Sequence, residues 1–173
     1  MWTWVVGGLA VAFGLVVIRG APYVPSQRRY VRQAFTELYP LGDGDILVDV
    51  GSGDGIVLRL ASEFGARGIG YELNPILVII SRFLSRSDSN VSIKLADFWL
   101  VPIPDETTIV YAFAATIYMK KMIHKMQQET NRLGRPLRFI SYGSQLNGRE
   151  ADGTIGAYNL YTFYPLHVPE AQV

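Results

Sequence analysis

Ile46-Leu47-Val48-Asp49-Val50 runs directly into Gly51-Ser52-Gly53-Asp54-Gly55, and this stretch decides the fold. The first five residues are nearly all apolar, as in a strand buried on both faces of a parallel sheet. The glycines let the backbone turn tightly and approach a ligand with no side chain in the way. An apolar run from about Gly55 to Phe64 then reads as a helix. Its first N–H groups have no intrahelical partner, which favours a negatively charged ligand group. The bland alternative is a glycine turn with solvated acids.

The next strand weighs against that alternative. Gly65-Ala66-Arg67 turns the chain, and Gly68-Ile69-Gly70-Tyr71-Glu72 reads as a second strand. Glu72 ends it 21 residues after Gly51, where a carboxylate can accept both hydroxyls of a ribose. Asn74-Pro75 opens a helix that extends to about Arg86, with Pro75 suited to the first turn. Val91–Leu95 is a third strand, and Asp97 after it is placed to reach an adenine amine. The acids Asp49, Glu72 and Asp97 thus close three successive strands around one crevice.

Further along, Thr108–Phe113 and Leu137–Ser141 read as strands and Thr116–Leu133 as a helix. That helix carries Met119, Met122, Ile123 and Met126 on one side, with Lys120, Lys121 and Lys125 on its solvated remainder. A polar loop crosses Gly143–Gly156, and Tyr158–Tyr164 is a final strand with Tyr158 and Tyr161 on opposite faces. The fold class is α/β: a Rossmann-like, mostly parallel sheet with helices on both faces.

One transmembrane helix is expected before this domain. Residues 2–18, WTWVVGGLAVAFGLVVI, carry no charge and span about 25 Å as a helix, at the short end of the membrane range. Trp2 and Trp4 suit one headgroup level, and Arg19 marks the other. A signal peptide would begin with a positive region, which is missing here. Arg19, Arg28, Arg29 and Arg32 stand against Glu37 alone in the first 40 residues, so the following domain is expected on the cytoplasmic side of a single-pass anchor. Ala21-Pro22-Tyr23-Val24-Pro25-Ser26 is a stiff joint, and Ser26 is placed to cap a helix over 27–38 with a stripe of Val31, Phe35 and Leu38.

Composition excludes several chemistries. There is no cysteine, hence no disulfide and no thiolate nucleophile or ligand. With only His124 and His167, no metal site is expected. A net charge of +1 gives no broad basic field, so no nucleic-acid partner is expected.

Among nucleotide-like ligands, a dinucleotide fingerprint GxGxxG needs glycine at position 56, where Ile56 stands. S-adenosyl-L-methionine has no pyrophosphate to seat on the helix start and makes no such demand. DVGSGDG followed by an acid after the second strand resembles the class I S-adenosylmethionine-dependent methyltransferases. More narrowly, PYVPS, DVGSGDGIVL, GYELNP and ADFW together resemble a family of membrane-associated protein-lysine methyltransferases. Its members modify the c-ring protein of mitochondrial ATP synthase and adenine nucleotide translocase, and it has prokaryotic relatives.

The uncharged span sets a transmembrane anchor over residues 1–20 as the expectation, and the resemblance implies a compact class I methyltransferase domain over 21–173. It implies that Asp49, Gly51, Ser52, Gly53, Asp54 and Gly55 surround the methionine part of the cofactor. Glu72 would hold the ribose, with Asn74 placing the loop, and Asp97 and Phe98 would frame the adenine. Tyr23 would close over the cofactor near the substrate lysine of a membrane protein. Methyl transfer to an amine needs that amine neutral, and the candidate proton acceptors within the chain are Tyr23, Tyr111, Tyr118 and Asp97. Two other readings stay open: a small-molecule or lipid methyltransferase, and a catalytically silent membrane-anchored binding protein.

Overall fold

A computed structural model describes residues 26–114 and 118–166. The apolar segment 2–18 and Tyr23 lie outside the described residues. No helix among those described is long and apolar enough to cross a membrane.

Seven strands form one sheet: β1 (Ile46–Val50), β2 (Arg67–Glu72), β3 (Val91–Leu95), β4 (Ile109–Ala114), β5 (Leu137–Gly143), β6 (Gly153–Ile155) and β7 (Tyr158–Phe163). Their order is β3-β2-β1-β4-β5-β7-β6. The pairings among β1 to β5 are parallel, and β7 is antiparallel to both β5 and β6. The helices are α1 (Arg28–Gln33, continued by a π-helical turn over Ala34–Leu38), α2 (Ile56–Glu63), α3 (Pro75–Leu84) and α4 (Met119–Leu133).

The two-residue alternation along each strand divides the core into two layers. Leu47, Ile109, Tyr111 and Ile140 face one side with Phe35 of α1, Leu58 of α2 and Val78 of α3. Val48, Ile69, Val110 and Phe139 face the other with Met119, Met122 and Met126 of α4. Strand order reverses between β1 and β4, which lie side by side with Asp49 opposite Tyr111 and Val50 opposite Ala112. Open α/β sheets bind ligands at the carboxyl ends of the strands flanking such a switch point.

Three local expectations are corrected. Ser26 does not cap α1: Gln27 precedes the helix, with no side-chain cap, and the last turn widens so that the Tyr39 N–H reaches the Ala34 carbonyl at 2.9 Å. The extra residue in that turn accompanies burial of Val31, Ala34 and Phe35 together. The polar loop over 143–156 contains β6, and β5 runs on to Gly143 because β7 returns beside it, pairing Tyr158 with Tyr142. Lys125 is not on a solvated face. It is buried, and its Nζ donates to Glu129 Oε1 at 2.6 Å and to the Val101 carbonyl at 2.8 Å.

Candidate active site

The glycine loop links β1 to α2 through positive φ angles at Gly51 (70°), Gly53 (55°) and Gly55 (78°). Gly55 needs its missing side chain for a second reason: a Cβ there would lie 2.2 Å from Ser81 Oγ of α3. Gly70 of β2 plays the matching part from below, since a Cβ would lie 2.5 Å from Ser52 Oγ. The loop therefore rests directly on β2 and against α3. Gly70 and Ser81 were not recognisable as site-forming residues in the sequence; their only signal is small size.

Most of the loop N–H groups are engaged within the fold. Gly51 and Ser52 donate to the Tyr71 carbonyl (2.9 and 3.1 Å), and Gly55 donates to the Ser52 carbonyl (2.8 Å). Ile56 donates to Asp54 Oδ1 (3.1 Å), while Arg59 holds Asp54 through its carbonyl (2.6 Å) and its carboxylate (3.4 Å). These donors are engaged within the fold. A pyrophosphate would find few of them, which suits a cofactor without one.

Glu72 is fixed by the same loop. Its Oε2 accepts from the Gly53 N–H at 2.9 Å and its Oε1 from the Asn74 N–H at 2.7 Å. Each carboxylate oxygen keeps a second acceptor position. Asn74 also caps α3, its Oδ1 accepting from the Ile76 N–H at 3.0 Å. Asp49 is buried, and no donor among the described residues bonds its carboxyl. Burial, then the charges of Glu72 and Asp54, push its pKa up to about 8. The group is therefore largely protonated at neutral pH, and an incoming cation would favour its ionised form.

Asp97 stands half-buried in the turn after β3, where its Oδ1 accepts from the Trp99 N–H at 2.9 Å. The Phe98 ring turns inward instead, packing edge-on to Tyr71 (6.1 Å) and Trp99 (5.4 Å) in the α4-side core.

Tyr111 sits beside Asp49 on β4, buried between the rings of Phe35 (6.4 Å) and Tyr158 (6.3 Å). Burial, reinforced by Tyr158 and Asp49, raises its pKa well above the ordinary phenol value. Its hydroxyl stays protonated and is a poor proton acceptor. Beyond it, Tyr142 and Tyr158 pack at 4.7 Å, and burial raises Tyr158 to about 12. Tyr30, Gln33, Tyr142 and Tyr158 line a groove of about 340 Å³ closed by the 155–157 turn. The carboxyl edge of the sheet thus has two halves: a glycine-and-carboxylate crevice over β1 to β3 and an aromatic groove over β5 and β7. Asp49 and Tyr111 lie between them.

No established family profile matches the chain. It is 32% identical over 111 residues to an ATP synthase C-subunit lysine N-methyltransferase of Xenopus laevis, a match covering 62% of this chain and 48% of that protein. It is 33% identical over 112 residues to an adenine nucleotide translocase lysine N-methyltransferase of Mus musculus, covering 62% and 48%. The chain spans about half the length of the curated relatives it matches. Among solved structures it resembles an RNA methyltransferase from Salinibacter ruber in complex with S-adenosyl-L-homocysteine, with 25% identity and a TM-score of 0.73 over 86% of this chain and 98% of that one. An S-adenosylmethionine-dependent methyltransferase from Mesorhizobium loti shares the fold at 23% identity and a TM-score of 0.53, over 65% and 50%. The sheet is thus a Rossmann-like methyltransferase sheet, the curated homologues are lysine N-methyltransferases, and S-adenosylmethionine is the cofactor of that family.

Proposed function

We propose that the chain is an S-adenosylmethionine-dependent methyltransferase acting on a lysine amine of a membrane-associated protein. The observation that carries this reading is the pairing of Glu72, held by two backbone donors, with the buried and unbonded Asp49 at the switch point. Both suit the cofactor's chemistry. Glu72 offers acceptors to the ribose hydroxyls, and Asp49 offers a carboxylate to a cationic amino-acid portion. Ser52 Oγ is buried without a partner among the described residues and adds a polar atom within the same loop. Gly51, Gly53, Asp54 and Gly55 form the floor, Asn74 holds the loop by capping α3, and Asp97 with the Phe98 main chain borders the adenine end.

When bound, the cofactor supplies a methyl group on an activated sulfonium. The chain's own task is to align a neutral amine in line with that carbon and to keep water out. An apolar, aromatic approach lowers the amine's pKa by disfavouring its charged form. Tyr111, held neutral, orients the amine rather than deprotonating it. Tyr23 and Asp97 remain acceptor candidates. Residues 2–18 anchor the enzyme in the bilayer as a single pass, with the domain on the cytoplasmic side.

An RNA substrate is the second reading, favoured by the likeness over nearly the full length of the Salinibacter ruber protein. Incubating native membranes and total RNA with the purified chain and isotopically labelled S-adenosylmethionine separates the readings. Label on lysine in a protein band supports the first. Label confined to RNA or to the lipid fraction overturns it, and no label anywhere, with the cofactor bound, points to a silent binding protein. For the pocket itself, Glu72→Ala should abolish cofactor binding in calorimetry while the chain stays folded.

A further inference from the structure

Helix α3 is built inside out. It turns Val78 and Ser81 toward the sheet, with Ser85 following at its end, and neither serine hydroxyl has a partner among the described residues. Outward it presents Ile79 (67% exposed) and Phe83 (62%), flanked by Ile76, Ile80 and Leu84. A helix on a water-soluble surface shows the reverse pattern.

The apolar surface continues along the edge where the crevice opens. Leu73 follows β2, Leu95 ends β3, Leu100 stands 81% exposed in the next turn, Phe113 lies near the end of β4, and Tyr118 precedes α4. Because β2, β3 and β4 are parallel and α3 and α4 start where β2 and β4 leave off, these residues share one rim. Contiguous exposed apolar surface of this kind marks an interaction site.

Cations border it. Lys120 and Lys121 are exposed in the first turn of α4, Arg86 stacks on Phe83 at 4.4 Å, and Arg29 lies over Tyr30 at 5.9 Å. The acids nearby are engaged: Asp54 pairs with Arg59 and Asp97 caps its turn. Finally, α1 begins at this same edge, since Tyr30 lines a groove with Tyr142 and Tyr158 at the carboxyl end of β5. The uncharged segment 2–18 lies only a short joint upstream.

We infer that the outer face of α3 and the apolar rim lie in the headgroup layer of an anionic bilayer, so that the crevice opens along the membrane surface. This rests on the proposed anchoring by residues 2–18 and deepens it: the anchor tethers the domain, and the rim sets its orientation. Apolar side chains enter the acyl boundary while the lysines and arginines meet anionic headgroups. The acceptor amine is then presented at headgroup level rather than from bulk water.

The absence of cysteine makes the test direct. Full-length Ile79→Cys and Leu100→Cys variants, and Glu106→Cys at the opposite edge of the sheet, each carry one polarity-sensitive fluorophore. They are added to vesicles of equal parts phosphatidylcholine and phosphatidylglycerol, with and without nitroxide-labelled lipid. The expected result is a blue shift and several-fold stronger quenching at positions 79 and 100 than at 106, weaker on pure phosphatidylcholine. Vesicle-bound protein whose dyes at 79 and 100 stay as wet as at 106 overturns the docking and leaves the anchor standing. No capture by vesicles overturns both. A blue shift before lipid is added assigns the surface to residues 2–18, or to a second copy if it grows with protein concentration; either result overturns the proposal. Calorimetric binding of S-adenosylmethionine on the same samples reports separately on the methyltransferase reading.

Discussion

Helices α3 and α4 cover opposite faces of one sheet and follow opposite rules. On α4 the apolar side is inside: Met119, Met122 and Met126 are buried, and Lys120 and Lys121 are exposed. Its buried charges are paired, with Lys125 bonded to Glu129 and Glu129 also accepting from Arg132 Nε at 2.8 Å. On α3 the isoleucines and Phe83 are outside, and the groups turned inward include unpartnered serines. The sheet face beneath α3 adds the buried carboxyl of Asp49, whereas Thr130 Oγ1 on α4 is left without a partner among the described residues. The difference teaches that α4 exists to complete a core, while α3 and the face it covers are arranged around a surface and a ligand.

The largest contrast should come from placing a charge on each apolar side. Met126→Asp buries an unpaired carboxylate in the α4 core and should lower stability by about 4 kcal/mol or more. Ile79→Asp on α3 should change it by less than about 0.5 kcal/mol. Denaturant titration of the two full-length variants decides. An equal loss in both would mean that something covers α3 after all.

Next in size is the buried pair. Lys125→Ala strips Glu129 of one partner in a closed environment and should cost about 3 kcal/mol. Arg82 on α3 donates from Nε and Nη2 to the Ile93 carbonyl at 3.1 and 2.8 Å, but from an exposed position. Arg82→Ala should cost only about 1 kcal/mol. If the two losses measured by thermal unfolding were the same, burial would not be what separates the helices.

Sequence legibility follows the same division. The β1 to β3 edge could be read because its signals are local: a strand, glycines and an acid at a fixed distance. The direction of its N–H groups could not, since it depends on Tyr71 and Glu72 bending the loop back on itself. The aromatic groove was hidden because Tyr30, Tyr142 and Tyr158 are far apart in sequence, and because β6 is three residues long and begins with glycine. Lys125 was misplaced because the Val101 carbonyl that helps bury it comes from a loop distant in sequence, although its other partner, Glu129, stands one helical turn on and is legible from the spacing. Helix α3 is apolar nearly all round, so periodicity identifies it but does not say which side faces out.

Asp49 ranks third. Its folded pKa of about 8 lies above the ordinary 3.8, so the protonated form is the one the fold favours. The associated stability is fully present below pH 3.8 and is lost as pH rises through 8. Asp49→Asn removes the titration. The variant should hold its stability across this range while the parent loses its own. It should also bind S-adenosylmethionine more weakly, because the carboxylate facing the cation is gone. Melting curves across this range that fall in parallel for both proteins would remove Asp49 as the source of the pH dependence.

Ser81 gives the smallest effect and the sharpest sign. Its hydroxyl is buried without a partner, pressed against the space that Gly55 leaves open. Removing an orphaned hydroxyl relieves its desolvation penalty, so Ser81→Ala should be neutral or stabilising by up to about 1 kcal/mol. Ser81→Val keeps the bulk, adds a methyl against the loop and should destabilise by about 1–2 kcal/mol through overpacking. The informative case is Ser81→Ala falling in stability or in cofactor affinity. Either loss would mean that the hydroxyl supports the glycine loop, and that the inward side of α3 serves the ligand as well as the fold.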